Sequence, residues 1–466
     1  MEKRVLPFLL FFGLIVLTRL PFLFDGYGSE EDACELRIVA ERMTQTGQYE
    51  VSRLPGHPFQ EIIYTTCWRG GAIAFNSLTL LISTLGIAAF AAMLKNFGFR
   101  RYFLIAATLA FTPIVYINSS NAMDYTWTMA FVLIAGYYIS NKQLIAAGIM
   151  VGIAIGCRIT AGAMLLPYTM LIWSMLPENE RISSLLRFYL SAILVAVVCF
   201  IPVYLTYGIE FFTFYEHFPI PGFAKNFYKG TIGAFGLPGC IGILAAGVII
   251  VRSRKILQSA LFETRNISPA LIYCSTTAII LYIIAFARVP LKSAFIIPIV
   301  PWLLILLAML LQEKAFRNVA ILFMLGSFFF GVNLAEAKRG SAVSRFSYTT
   351  TISGQPIAID PLNGLMLADQ SKRQQRRAFI DKVIVARTRI QEKTVLITGW
   401  WQADLLVYGQ DQTNEKVVVR HYIDEPELAW YQRNGYRIFY LEDQGQYNDL
   451  RFNKEFTDKY ASAFPF

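Results

Sequence analysis

Long apolar runs alternate with short charged clusters over the first two thirds of the chain, and their spacing sets the expected architecture. Residues 5–24, 70–94, 102–117, 125–140, 188–207, 231–251, 269–287, 293–311 and 318–334 each predict a bilayer-crossing helix, at roughly 16 to 25 residues apiece. The stretch 143–176 is too long for one crossing. Arg158 interrupts it within GCRITAG, which predicts a hairpin of two shortish helices with Arg158 at or below its outer end. About eleven spans result, in a transmembrane domain over residues 1–334. Lys3 and Arg4, then Lys95, Arg100 and Arg101, Lys142, the loop 178–187, Arg252 with Arg254 and Lys255, and Lys314 with Arg317 fall in alternate connections. Short cytoplasmic loops collect Lys and Arg, so the N-terminus is expected in the cytoplasm. The first apolar segment is too long for a signal-peptide core and has no small-residue cleavage site, so it predicts a retained helix.

From Ala335 the period changes. Strand-length runs at 356–360, 394–399, 417–423 and 437–442 alternate with helix-like stretches at about 369–391 and 425–434. That order predicts a small α/β domain with a mostly parallel sheet over residues 335–466. An odd number of spans puts it outside the cytoplasm. It holds neither GxGxxG nor GxxxxGK[ST], so nothing supports a nucleotide site. The second outer loop, from Gly208, carries the ring-rich string FFTFYEHFPIPGFAKNFY, whose composition suits the headgroup region.

Composition agrees with a polytopic membrane protein: 55% of residues are hydrophobic and 16% charged. The net charge of +10 sits largely in the inner loops. There is no basic run interleaved with aromatics, so the expected partners are membrane lipids and not nucleic acid. Of the six cysteines, Cys157, Cys199, Cys240 and Cys274 lie in or beside apolar spans, where a thiol packs as a small hydrophobe. Cys34 and Cys67 bracket the first outer loop, where an oxidising compartment would permit a disulfide between them.

That loop, residues 25–69, carries eight carboxylates against four arginines between two spans. A long polar connection in a compact membrane domain is costly to order and is more often functional than spacer. Glu30, Glu31 and Asp32 follow the first span almost at once and are candidates for acid/base work, against the plainer reading of a solvated acidic loop. Arg53, His57 and Glu61 lie further along it. Asp124 opens the fourth span, Arg158 breaks the hairpin, and Arg288 and Lys292 flank VPL before the tenth span. All are expected on the outer face. Together Arg158, Arg288 and Lys292 would form a cationic pocket for a lipid phosphate; singly, each reads as a long side chain snorkelling to the headgroups. His57 and Glu61, four apart, share a helix face as either a divalent-metal site or a hydrogen-bonded pair. No Cys/His cluster suggests structural zinc, and no other cofactor is implied. Trp400, Trp401 and Tyr408 are either sugar-stacking platforms or core.

The segment DACELRIVAERMTQTGQYEVSRL, with Asp32 fifteen positions before Gly47, resembles the first outer loop of GT-C glycosyltransferases of the protein O-mannosyltransferase and lipid A aminoarabinose-transferase superfamily. AMDYTWT resembles their second acidic position, GCRITAG a basic-Gly element, and ARVPLKSAFIIPIVPWLLILLA their basic, proline-punctuated late span. The likeness covers about the first three hundred residues. It departs where Asp32-Ala33, preceded by Glu30 and Glu31, replaces an Asp-Glu pair, and where Ile62 replaces the Lys that usually follows Glu61. The resemblance implies a GT-C fold and transfer of a hexosyl or pentosyl sugar from a polyprenyl-phosphate donor to a hydroxyl of a protein, lipid or glycan. It implies Asp32 as general base, with Glu30, Glu31 and Glu61 as second candidates, Asp124 orienting Asp32 or the sugar, Arg158, Arg288 and Lys292 on the donor phosphate, and Arg53, His57 and Glu61 around the substrate. The outer face of a prokaryotic inner membrane is the implied location. A transporter or flippase of lipid-linked sugars is the alternative, although no internal repeat supports it. A non-catalytic membrane subunit displaying the α/β domain would leave the acidic loop unexplained.

Overall fold

The computed structural model describes residues 2–209, 211, 222–253, 269–333, 346–352, 355–441 and 462–464. Of the features expected above, residues 212–221 of the ring-rich loop, the basic pair Arg254 and Lys255, and the start of the C-terminal domain at Ala335 lie outside them.

Helices fill the apolar stretches. Among the described residues six segments, Leu6–Phe24, Trp68–Asn96, Glu178–Tyr207, Ile232–Arg252, Pro269–Arg288 and Ser293–Leu310, are long and apolar enough to cross a bilayer. The protein is thus a polytopic helical membrane protein. The remaining apolar stretches are shorter or broken, each for a local reason. Residues 102–117, expected as one span, form α5 (Tyr102–Phe111) and α6 (Pro113–Asn118). Thr112 between them is extended, at φ −63° and ψ 128°, because the ring of Pro113 disfavours helical backbone in the residue before it. The hairpin breaks where expected: α8 (Leu144–Cys157) stops, Arg158 is extended, a 3-10 turn follows over Ile159–Met164, and α9 (Leu165–Met175) resumes. The expected last span is corrected. Its helix α15 (Glu313–Leu325) ends early, and the chain enters strand β1 (Gly331–Asn333) instead of continuing helical to residue 334. Strand pairing to β3 (Gln355–Asp360) captures the backbone there.

Small residues let the helices approach closely, since between lipid-embedded helices packing and not water exclusion supplies the attraction. Gly148, Gly152 and Gly156 repeat every four residues along α8 and form one stripe against α10 (Glu178–Tyr207). A Cβ on Gly152 would lie 2.6 Å from Val195 Cβ and 2.7 Å from the Ala192 carbonyl. One charged side chain is buried in this region without a carboxylate: Arg19 donates to Ser119 Oγ at 2.8 Å and to the Ile15 and Ala110 carbonyls, over the ring of Tyr116. It fastens α1 (Glu2–Arg19) to α5 and α6.

Among the described residues the C-terminal region holds two sheets, not one. The strand expected at 356–360 is β3, the centre of a three-stranded antiparallel sheet of order β1-β3-β2, with β2 at Tyr348–Ile352. The parallel sheet has order β5-β4-β6-β7, from β4 (Thr394–Ile397), β5 (Val417–Arg420), β6 (Arg437–Tyr440) and β7 (Ser462–Ala463). Helix α16 (Leu365–Thr388) packs through Phe379, Ile380 and Val383 on Leu396 and Leu405. The same helix ties this region to the end of the bundle that carries loop 25–69. Gln370 and Gln374 donate to Asp25, and buried Arg373 donates to the Ser120 carbonyl at 3.0 Å. Tyr408, at the end of α17 (Gln402–Tyr408), accepts from the Tyr27 main-chain N–H. Only glycine fits beneath it: Gly26 has φ +81°, and a Cβ there would lie 2.6 Å from the phenol oxygen.

Candidate active site

Loop 25–69 is ordered by two helices and one carboxylate. Helix α2 (Asp32–Thr46) buries Leu36, Ile38, Val39 and Met43 and ends at Gly47, whose φ of +69° lets its N–H close on the Met43 carbonyl. Helix α3 (Pro58–Thr65) starts with proline at its first position, where no intrahelical N–H is required. Between them the chain is irregular, with a turn at residues 54–55, and needs other partners. Glu61, buried, provides them: it accepts from the Ser52 N–H at 2.8 Å, the Ser52 hydroxyl at 2.7 Å, the Tyr49 hydroxyl at 2.5 Å and the His57 N–H at 3.1 Å. Four hydrogen bonds saturate the carboxylate, so Glu61 staples the loop. Its link to His57 runs through the main chain and not the ring, which corrects the shared metal site considered above. Among the described residues no group of three or more metal-ligating side chains occurs.

The stapled loop presents Asp32, Arg53 and His57 to the helical bundle. Asp124, fully buried just ahead of α7 (Tyr125–Ser140), accepts from Arg53 through Oδ1 and from Arg158 at 2.7 Å through Oδ2. Arg53 reaches back to Asp32, 2.8 Å away, and Lys292 binds both Asp32 and, at 2.5 Å, Glu30. Opposite charges therefore alternate in one string: Lys292, Asp32, Arg53, Asp124, Arg158. Its two ends are held alike. Arg158 and Lys292 are both extended residues between the end of a helix and a 3-10 turn, with the turn after Lys292 spanning Ser293–Ile299. Irregular backbone of this kind is tolerated at membrane depth where it faces protein or a cavity.

Electrostatics holds the string charged. Burial alone pushes the Asp32 carboxyl up, but Lys292 and Arg53 outweigh it and hold the group well below the usual carboxylate range. Burial works against Lys292 as well, and Asp32 with Glu30 more than compensates, keeping the ammonium protonated. For Asp124 burial is again opposed, here by its cationic neighbours, and the carboxyl stays ionised. His57 is different. Burial lowers its pKa, and its Nδ1 lies 2.7 Å from the Cys157 carbonyl, so Nδ1 carries the proton and donates. A neutral His57 contributes no charge to Asp124, 3.5 Å away, which leaves Arg53 and Arg158 to hold that carboxylate.

An open cleft abuts the Arg158 end of the string. Tyr125, Thr128, Thr160, Tyr282, Phe286 and Phe295 line it with Arg158, whose guanidinium lies 4.3 Å from the centre of the Phe295 ring. Its wall is apolar apart from Arg158 and a few hydroxyls, which suits an isoprenoid tail carrying one anionic group.

Asp32, Asp124, Arg53, His57, Arg158 and Lys292 are thus brought together. Other candidates are not. Arg288 is exposed at the C-terminal end of its helix and outside the string. Glu31 is buried beside Glu35 and near the Arg376–Asp404 ion pair of the C-terminal region, and burial first, then repulsion from Glu35 and Asp32, pushes it up to about 9. Cys34 and Cys67 are free thiols: Cys34 is buried against the C-terminal region and Cys67 points its Sγ at the Tyr64 carbonyl. Trp401 packs on Phe379 in the domain core, Trp400 is half-buried beside His421, and Tyr408 belongs to the contact with loop 25–69. The sequence reading understated Arg53, which joins the two aspartates. Its signal was available, as the one cation between Gly47 and His57.

No family model matches the sequence, and no curated protein does. Solved structures do. The crystal structure of ArnT from Cupriavidus metallidurans in the apo state matches over 97% of this chain and 88% of that one, with TM-score 0.53 and 13% identity. The structure of the same protein bound to undecaprenyl phosphate matches over the same shares, with TM-score 0.50 and 14% identity. The chain is therefore a polytopic membrane protein with an ArnT-like fold. At this identity the likeness is one of fold, and what the site does is argued from its residues.

Proposed function

We propose that the protein is a glycosyltransferase that takes a sugar from a polyprenyl-phosphate donor and passes it to an acceptor hydroxyl on the outer face of the inner membrane. One observation carries this reading: a string of alternating charges, assembled from four distant segments and fully or partly buried along its length, ends in an apolar cleft beside Arg158. The apolar wall would take the isoprenoid, and Arg158 with Lys292 the phosphate. Those cations stabilise the charge that develops on the leaving phosphate as the bond from the anomeric carbon to the phosphate oxygen breaks. The acceptor oxygen attacks the anomeric carbon from the opposite face and gives its proton to Asp32, with inversion. In the donor-free protein Asp32 is too weak a base for this, since Lys292 and Arg53 hold it ionised. A phosphate that draws Lys292 away raises its basicity just when a base is needed. The similar fold whose crystal structure carries undecaprenyl phosphate supports the donor class.

The test uses purified protein in liposomes with a polyprenyl-phosphate-linked sugar and follows release of free polyprenyl phosphate. Wild type should release it in step with acceptor glycosylation, and Asp32→Asn should lose at least ~100-fold in turnover, at the lower end of a general-base contribution. Full turnover by a folded Asp32→Asn variant would remove Asp32 from the base role. Movement of intact donor across the bilayer without phosphate release would make the protein a transporter.

A further inference from the structure

Two tyrosines in the cleft have hydroxyls with nothing to bond. Tyr125 is 2% exposed and Tyr282 3% exposed, both line the cleft with Arg158, and each phenol oxygen is buried without a hydrogen-bond partner among the described residues. They come from different elements, Tyr125 from the first turn of α7 immediately after Asp124, and Tyr282 from the middle of the helix Pro269–Arg288. They also attend the two ends of the charge string. The Arg158 guanidinium lies 5.0 Å from the centre of the Tyr125 ring, and the Tyr282 hydroxyl is within electrostatic reach of Arg158. The Tyr125 hydroxyl is within reach of Lys292 and Arg53.

A buried hydroxyl without a partner costs free energy, so a protein that keeps two of them in one cleft keeps them for a bound state. Phenols also donate without adding charge, which matters beside a string whose cations already face carboxylates. We infer that Tyr125 and Tyr282 are hydrogen-bond donors to the phosphate of a polyprenyl-phosphate lipid, completing with Arg158 the coordination of an anion whose tail occupies the apolar part of the cleft. The inference rests on the glycosyltransferase reading for its ligand class and adds the residues that recognise the phosphate. The two tyrosines are positioning residues for the ground-state lipid.

Binding and stability should move in opposite directions. Tyr→Phe removes the unpaired oxygen and keeps the ring, so Tyr125→Phe and Tyr282→Phe should leave the melting temperature of the ligand-free protein unchanged or higher. Each should weaken polyprenyl monophosphate binding in nanodiscs roughly tenfold or more, the scale of one hydrogen bond to a charged group. Binding of the neutral polyprenol, which shares the tail and lacks the phosphate, should not change. Equal weakening of both ligands would show a packing defect and overturn the assignment, as would wild-type phosphate affinity in both variants. Failure of the wild-type protein to bind polyprenyl monophosphate would instead overturn the donor class itself.

Discussion

Replacing Asp124 by asparagine tests the centre of the site. Asp124 is fully buried and takes a charge-assisted hydrogen bond from each of two arginines, Arg53 and Arg158. Asparagine has the same shape but no charge, and its amide offers one acceptor oxygen where the carboxylate offers two. Removing one partner of a buried ion pair costs about 3–5 kcal/mol because the charge left behind is uncompensated. Asparagine keeps one of the two contacts, which puts the expected loss near the lower figure, about 3 kcal/mol. Thermal unfolding in detergent, with and without Arg158→Gln in the same chain, separates the pair from its surroundings. Asp124→Asn alone should lower the melting temperature by several degrees. The double variant should be less damaged than the sum of the singles, with an interaction energy of about 1–3 kcal/mol. Turnover should fall along with stability, since Arg53 loses the anchor that holds it against Asp32. Strict additivity, or a folded Asp124→Asn protein with wild-type stability and turnover, would refute the idea that one carboxylate organises both arginines.

Other tests follow from neighbouring features. Glu31 is pushed up to about 9, chiefly by burial, against an ordinary value of 4.5; it stays neutral in the folded protein while the unfolded chain ionises. Its stabilisation is therefore complete below about pH 4.5 and is lost as the pH rises through about 9. Glu31→Gln, which stays neutral throughout, should match wild type near pH 5 and become the more thermostable form by pH 9, and parallel melting curves over that range would count against it. Gly152→Leu should force α8 off α10 and shift both Arg158 and the Cys157 carbonyl that holds His57, costing about 1–3 kcal/mol or more together with donor turnover. Gly247→Leu, where nothing lies within 4 Å, is the matched control and should behave as wild type in thermal shift and turnover.

The sequence made the membrane character and the break at Arg158 legible because each rests on a local pattern: a run of apolar residues, or one arginine inside such a run. It also brought Asp32, Asp124, Arg158 and Lys292 to one side through loop charge alone. Side-chain direction was not legible. Glu30, Glu31 and Asp32 are consecutive, yet the turn into α2 sends Glu30 and Asp32 to Lys292 and Glu31 toward the C-terminal region. Arg288 and Lys292 are four apart and looked equivalent, but the helix ends at Arg288 and the extended VPL segment separates their directions. Glu61 resembled a ligand because carboxylates bind metals. Only the fold reveals that four donors of its own loop have already claimed it. The split of the C-terminal strands into two sheets depends on β1, a three-residue strand hidden within an apolar run.

Electroneutrality in the resting site governs how an anion enters it. Lys292, Arg53 and Arg158 are balanced there by Glu30, Asp32 and Asp124. If the proposed donor phosphate binds here, it would meet no surplus positive charge among these six side chains, so its entry would leave an excess of negative charge that raises the proton affinity of the carboxylates beside it. Ligand and proton would then assist each other, and by reciprocity an acidification at the membrane surface would tighten the proposed lipid's hold by the same factor by which the lipid promotes proton uptake.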